Sequence, residues 1–178
     1  MSVYKELITG LESHGGTPTY LDITPQVQSI ITKSGIQNGI CCVISPHTTC
    51  SVFTDEIVQD RDENGDDYLH ADLNGILDKI IPPQVSWDQY LYPGEKHFGH
   101  MMEWPREELE KWLPGLDKTK LWNADAHLRA TVIGSSVTCE VDGGELLLNG
   151  NDQGRVFFVD FDRCRVRQRT CRVVVIGE

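Results

Sequence analysis

The stretch from Ser136 to Ile176 constrains the fold more than any other part of the chain, because it is a succession of short β-favouring segments cut by turn residues. Ser136 to Val141, Glu145 to Leu148, Arg155 to Phe161 and Cys171 to Ile176 are separated by Asp142-Gly143-Gly144, by Asn149-Gly150 and by a polar stretch. That is the pattern of antiparallel strands joined by tight turns. Such a meander presents an apolar face that has to be buried against a second layer. The first third of the chain offers one: Val3 to Ile8 and Thr17 to Ile23 alternate as strands, Gly39 to Ser45 is a near-continuous apolar strand that Pro46 stops, and Cys50 to Thr54 resumes.

Helical patterns lie between these strands. Thr24-Pro25 predicts a capping threonine followed by proline in the first turn, Val27, Ile30 and Ile31 form an apolar stripe, and Gly35 ends it. Leu69, Leu73, Ile76, Leu77 and Ile80 recur at helical spacing and predict a buried face, which Pro82-Pro83 terminates. Asn123 to Ile133 has helical spacing through Leu128, Val132 and Ile133 and stops at Gly134. Strands early and late with helices between them predict an α+β fold, its largely antiparallel sheet packed as a sandwich or curled into a barrel-like form. With 178 residues, one domain spanning 1–178 is expected. Residues 84–122 hold Trp87, Trp104, Trp112 and Trp122 and one short helix, Pro105 to Leu113, and read as an elaborated, lid-like segment.

Composition excludes several classes of function. A formal net charge of −11 repels phosphate backbones, so no nucleic-acid partner is expected. The N-terminus lacks the basic start and apolar run of a signal peptide, and no later run approaches the roughly 18 apolar residues that span a bilayer. A cytoplasmic protein without a membrane partner is the expectation. Cys41 and Cys42 are adjacent and point to opposite strand faces, and no Cys-x-x-Cys pair exists among the 6 cysteines, so reduced thiols are expected. The acidic run Asp60, Asp62, Glu63, Asp66, Asp67 lacks the spacing of a calcium loop and reads as a solvated segment that starts a helix.

The histidines carry the chemistry. His14 stands in a glycine turn, His70 beside a helical apolar stripe and His97 in the lid-like segment, and each reads as structural. His47 follows an apolar strand and precedes Thr48-Thr49, a strand end where hydroxyl donors flank an imidazole. His100 and Glu103 are one helical turn apart, as metal-binding pairs require, and His127 opens a helix among small alanines. Neutral imidazoles from His47, His100 and His127 suit a borderline divalent ion, zinc first, with a position left for water or substrate. Glu56 and Glu103 are the nearby carboxylates, either of them a general base or an outer acceptor that orients an imidazole. Arg163, Arg165, Arg167 and Arg169 alternate along one face, which is either a solvated strand face or an anion site.

Taken together, His47-Thr48-Thr49, His100-x-x-Glu103, Asn123-Ala124-Asp125-Ala126-His127-Leu128, Gly134-Ser135-Ser136, Gly144 with Leu146-Leu147-Leu148, Gln153 and Phe161-Asp162 resemble the YjbQ-like family, in order from about Thr17 to the C-terminus. That resemblance implies an α+β sandwich or barrel-like sheet, a homotrimer, and a pocket in which the matched histidines bind a metal. It also implies the family's activity, a weak secondary thiamine-phosphate synthase reaction joining a pyrimidine diphosphate to a thiazole phosphate. The small phosphorylated substrate would meet Thr48, Thr49, Asn123, Arg129 and Gln153, with Glu103 or Glu56 moving protons. Where relatives read Gly-Thr-Trp-Gln, this chain reads Gly150-Asn151-Asp152-Gln153, which removes an aromatic wall that the tryptophans of 84–122 could replace. Two other functions fit the same residues: a non-catalytic metal or small-ligand binding protein, and a metal-dependent hydrolase of phosphate esters.

Overall fold

The computed structural model describes residues 1–63, 65–148 and 153–178. The chain starts with β1 (Ser2–Ser13) and β2 (Thr19–Asp22), passes through α1 (Thr24–Ser34), and returns as β3 (Gly39–Ile44) and β4 (Cys50–Glu56). Helices α2 (Tyr68–Ile80), α3 (Glu95–Met102), α4 (Arg106–Trp112) and α5 (Ala124–Ile133) follow. The chain closes with β5 (Ser136–Asp142), β6 (Glu145–Leu147), β7 (Gly154–Asp160) and β8 (Arg167–Gly177). The strands form two antiparallel sheets, ordered β1-β8-β3-β5-β6 and β2-β7-β4. The architecture is α+β, as the strand and helix patterns predict. The Asn149-Gly150 turn and the altered Gly150-Asn151-Asp152 stretch lie outside the described residues.

Alternation decides which faces meet. Cys41 and Val43 of β3, Cys139 and Val141 of β5, and Cys171, Val173 and Val175 of β8 point inward, and Cys41 stands opposite Cys139 and Val175. Val52, Val156 and Phe158 of the smaller sheet and Val27, Ile30 and Ile31 of α1 complete this core. Burying such branched side chains stabilises by roughly 1.5–3 kcal/mol each. Cys41, Cys42, Cys50, Cys139, Cys164 and Cys171 are free thiols, and burial pushes Cys41 and Cys171 up to about 12, which leaves them unreactive.

Two glycines are required by geometry. Gly10 adopts φ +74 where the β1–β8 register shifts between Ile8 and Leu11. Gly39 faces β8 so closely that an added Cβ would lie 2.0 Å from the Ile176 carbonyl oxygen.

Three expectations are corrected. Thr24 is the first helical residue of α1 and caps nothing with its side chain; its hydroxyl accepts the Val156 N–H at 2.8 Å and ties the helix to β7. The predicted buried face of α2 is largely outside: Leu69, Ile76 and Ile80 are exposed, while His70 and Leu77 are buried. The helix seats itself through His70, stacked on Tyr20 at 4.2 Å and edge-on to Phe157, an aromatic contact that apolar spacing cannot register. The segment 84–122 contains α3 as well as the expected short helix, and Met101, Leu109, Leu113 and Leu121 give it a small core of its own.

Candidate functional site

A cavity of about 330 Å³ lies where the ends of several strands meet the 84–122 segment. His47 sits in the turn between β3 and β4, its backbone N–H donated to the Ser45 hydroxyl and its carbonyl accepting from Cys50 N–H. Ser45 N–H in turn donates to the Ser135 carbonyl, and Phe161 N–H to the Thr49 carbonyl, so the turn is pinned from both sides. His127 lies in the first turn of α5 against the ring of Tyr92. Burial, more than any charge, holds both imidazoles below the usual histidine range, with Arg169 adding to the effect at His47. At neutral pH they are uncharged and able to move protons.

Arg165, Arg167 and Arg169 also line this cavity. Arg169 grips Asp160 with two hydrogen bonds, of 2.7 and 3.2 Å, and donates to the Thr49 hydroxyl at 3.0 Å. Burial opposes ionisation of Asp160, yet the Arg169 guanidinium bonded to it holds the carboxyl below its usual range. Arg165 lies 3.6 Å from Asp162, and Arg163 is bonded to Asp125 away from this cavity. Arg167 has no carboxylate partner among the described residues. Its guanidinium lies 4.2 Å from the centre of the Trp112 ring and its Nε is buried without a hydrogen bond. Burial first, and Arg165 beside it, pull Arg167 down to about 10. It stays charged at pH 7, with Asp162 and Asp160 acting on it only at longer range and no direct ion pair among the described residues.

The structure brings most of the sequence-derived residues together. His47, Thr48, Thr49, His100, Asn123 and His127 all line this cavity. So does His97, read from sequence as structural, and so do Trp104 and Trp112 of the inserted segment, whereas Gln153 next to the altered stretch lines a different groove. His100 is near the rim, its side chain 73% exposed and 3.7 Å from Glu103. Other residues fall elsewhere. Glu56 and Gln153 line a separate groove with Asp55, Thr138 and Glu140. Arg129 is buried, donating to Asp78 and to the Ile81 carbonyl at 2.6 Å, and does not line the cavity. The long-range partners Asp78 and Asp162 leave no local sequence signal; the arginine alternation is the signal that finds Arg165, Arg167 and Arg169.

Among the described residues no group of three or more His, Cys, Asp or Glu side chains is placed to hold an ion. Nε2 of His47 already accepts the Thr170 N–H at 3.0 Å, and the backbone of Thr48 engages His127. Three imidazoles line one cavity without closing on one point.

Fold and site together define an α+β protein whose antiparallel sheets curl into a half-barrel, with an imidazole- and arginine-lined cavity at its strand ends. The family model described as UPF0047 protein YjbQ-like matches residues 11–178, and the chain belongs to that family. It is similar to a UPF0047 protein of Methanothermobacter thermautotrophicus, 30% identical over 158 residues that cover 89% of this chain and 82% of the relative. It is also similar to the UPF0047 protein YugU of Bacillus subtilis, 26% identical over 88% and 89% of the two chains. A solved YjbQ-like protein of unknown function from Sulfolobus solfataricus superposes with a TM-score of 0.67 at 27% identity, covering 99% of each chain.

Proposed function

We propose that this protein is an enzyme acting on a small phosphorylated substrate, whose anionic group is held by Arg167 and Arg165 and whose proton transfers run through His127. The observation that carries this reading is Arg167: a half-buried guanidinium beside a second one, in no direct ion pair among the described residues and sensing Asp162 and Asp160 only at longer range, is placed to take an anion. His127 supplies a neutral imidazole on the same cavity. The activity that the family resemblance implies, joining a pyrimidine diphosphate to a thiazole phosphate, fits these parts, because such a reaction collects charge on a departing diphosphate and the arginines neutralise it. Glu103, 77% exposed beside His100, is a proton acceptor at the rim.

Calorimetric titration with inorganic phosphate and with pyrophosphate tests the anion site. Assays with each heterocyclic substrate alone and then together test the chemistry: product only with both supports a synthase, and phosphate release from one alone supports a hydrolase. Failure of either anion to bind with dependence on Arg167 sinks the reading.

A second reading is favoured by the imidazoles that share the cavity: a divalent ion, zinc first, held by His100 and His127 together with substrate oxygens. Elemental analysis of purified protein and of its His127→Ala variant decides it. The homotrimer implied by the resemblance would cover the exposed Leu69, Ile76 and Ile80 of α2 and Leu128 and Val132 of α5, and sedimentation equilibrium reads the mass directly.

A further inference from the structure

Asn123 occupies the position before α5 where an asparagine side chain usually accepts an N–H from the first turn of the helix. It does not do so here: no side-chain cap bond is made, and the Ala124 N–H is donated instead to Oε1 of Gln84 at 3.1 Å. Gln84 reaches in from the start of the inserted segment, is itself 7% exposed, and satisfies the first N–H of the helix, while the Asn123 side chain makes no cap bond.

The freed amide is then oriented from its other side. Nδ2 of Asn123 donates to Oδ2 of Asp162 at 3.5 Å, and Asp162 is a buried carboxylate with Arg165 3.6 Å and Arg169 3.8 Å away. An ionised carboxylate only accepts hydrogen bonds, so it selects the amino side of the amide and turns the carbonyl oxygen the other way. That oxygen, Oδ1, has no hydrogen-bond partner, although Asn123 is 6% exposed and lines the cavity. It is an unmet acceptor on a residue that lines the cavity, and a ligand seated there that carries a donor can satisfy it. A ligand without one leaves a buried acceptor unmet, the situation in which a polar site discriminates most sharply.

We infer that Asn123 is a specificity-determining residue that reads a hydrogen-bond donor, an amino, hydroxyl or ring N–H group, on the phosphorylated substrate, and that Asp162 is the positioning residue that fixes its amide. The substrate class is thereby narrowed to phosphate esters or diphosphates that also carry a neutral donor. This rests on the anion site of the proposed function, and the experiment separates the two.

Benzyl phosphate is compared with its 3- and 4-amino and 3- and 4-hydroxy derivatives by calorimetric titration, beside inorganic phosphate as the probe of the arginines alone. In the unaltered protein at least one donor-bearing ester binds roughly tenfold more tightly than benzyl phosphate. In Asn123→Leu that preference falls to about unity while inorganic phosphate binds within about twofold of the unaltered protein. If Asn123→Leu does not fold, Asp162→Asn provides the second measurement. It frees the amide to turn, so the ratio of affinities falls although Asn123 is intact, a ratio that a merely structural role would not move. Equal binding of all the benzyl phosphates, with Arg167-dependent phosphate binding preserved, overturns this inference and leaves the anion site standing. Loss of Arg167-dependent phosphate binding overturns both.

Discussion

The backbone N–H of Thr170 donates to Nε2 of His47 over 3.0 Å, joining a turn to a strand 123 residues further along the chain. With that lone pair occupied, a neutral His47 carries its proton on Nδ1 and presents a donor, not a ligand lone pair, to any group that approaches that nitrogen. Nitrogen-15 NMR should therefore show His47 as the Nδ1–H tautomer near pH 7.5. Zinc affinity, if measurable, should change little in His47→Ala and fall in His127→Ala; the Nε2–H form, or a zinc site that vanishes with His47, would contradict the geometry.

Arg167 and Arg163 make an internal control. Both belong to the same alternating run, but Arg163 is bonded to Asp125, whereas Arg167 makes no direct ion pair among the described residues. Arg167→Ala should weaken pyrophosphate binding by about 1.5–3 kcal/mol, roughly 10- to 100-fold. Arg163→Ala should leave it nearly unchanged. Equal losses in titration calorimetry would show a diffuse electrostatic effect instead of a site.

His47, His70 and His127 are all held below the usual histidine range, burial being the largest cause in each. The unfolded chain protonates these groups near about 6.5, above their folded values, so it binds more protons as pH falls. Their contribution to stability is complete above that pH and is lost as pH drops through it towards the folded values. Thermal melts should show a flat Tm above about pH 7 and a decline below about 6.5. In His70→Phe, which keeps the stack on Tyr20, that decline should be shallower. A Tm that rises between pH 6.5 and 5 would reverse the assigned sign.

Gly39→Ala places a methyl group 2.0 Å from the Ile176 carbonyl oxygen, in backbone that has no flexible end to move. Separation of β3 from β8 should cost about 3 kcal/mol, read as a shift in the urea midpoint. Gly75→Ala, whose added Cβ meets nothing within 4 Å on α2, should be neutral or slightly stabilising.

The fold was legible wherever one residue's neighbours along the chain set its conformation. Alternation at Cys41 and Val43 and at Cys171, Val173 and Val175 placed the sheet faces, Val27, Ile30 and Ile31 placed α1, and Gly35, at φ +69, ended it as expected. Spacing failed at α2, because the burial of Leu69, Ile76 and Ile80 depends on what packs against the helix, and the sheet engages His70 and Leu77 instead. It failed again at Thr24, whose hydroxyl serves a strand 132 residues away.

What the sequence determined by itself is the α+β class, the family, and the candidates His47, His100, His127 and Asn123, which share one cavity, while it left the arginine run open and put Glu56, Arg129 and Gln153 in the same site. Tertiary structure alone decided what each of them is free to do. Thr170 occupies His47, Asp160 neutralises Arg169, Asp162 holds the Asn123 amide, and Arg167 lies on Trp112 with no direct ion pair among the described residues. Residue type fixes a side chain's capacity to donate, accept or carry charge, but what remains of that capacity depends on neighbours that are close in space and far apart along the chain.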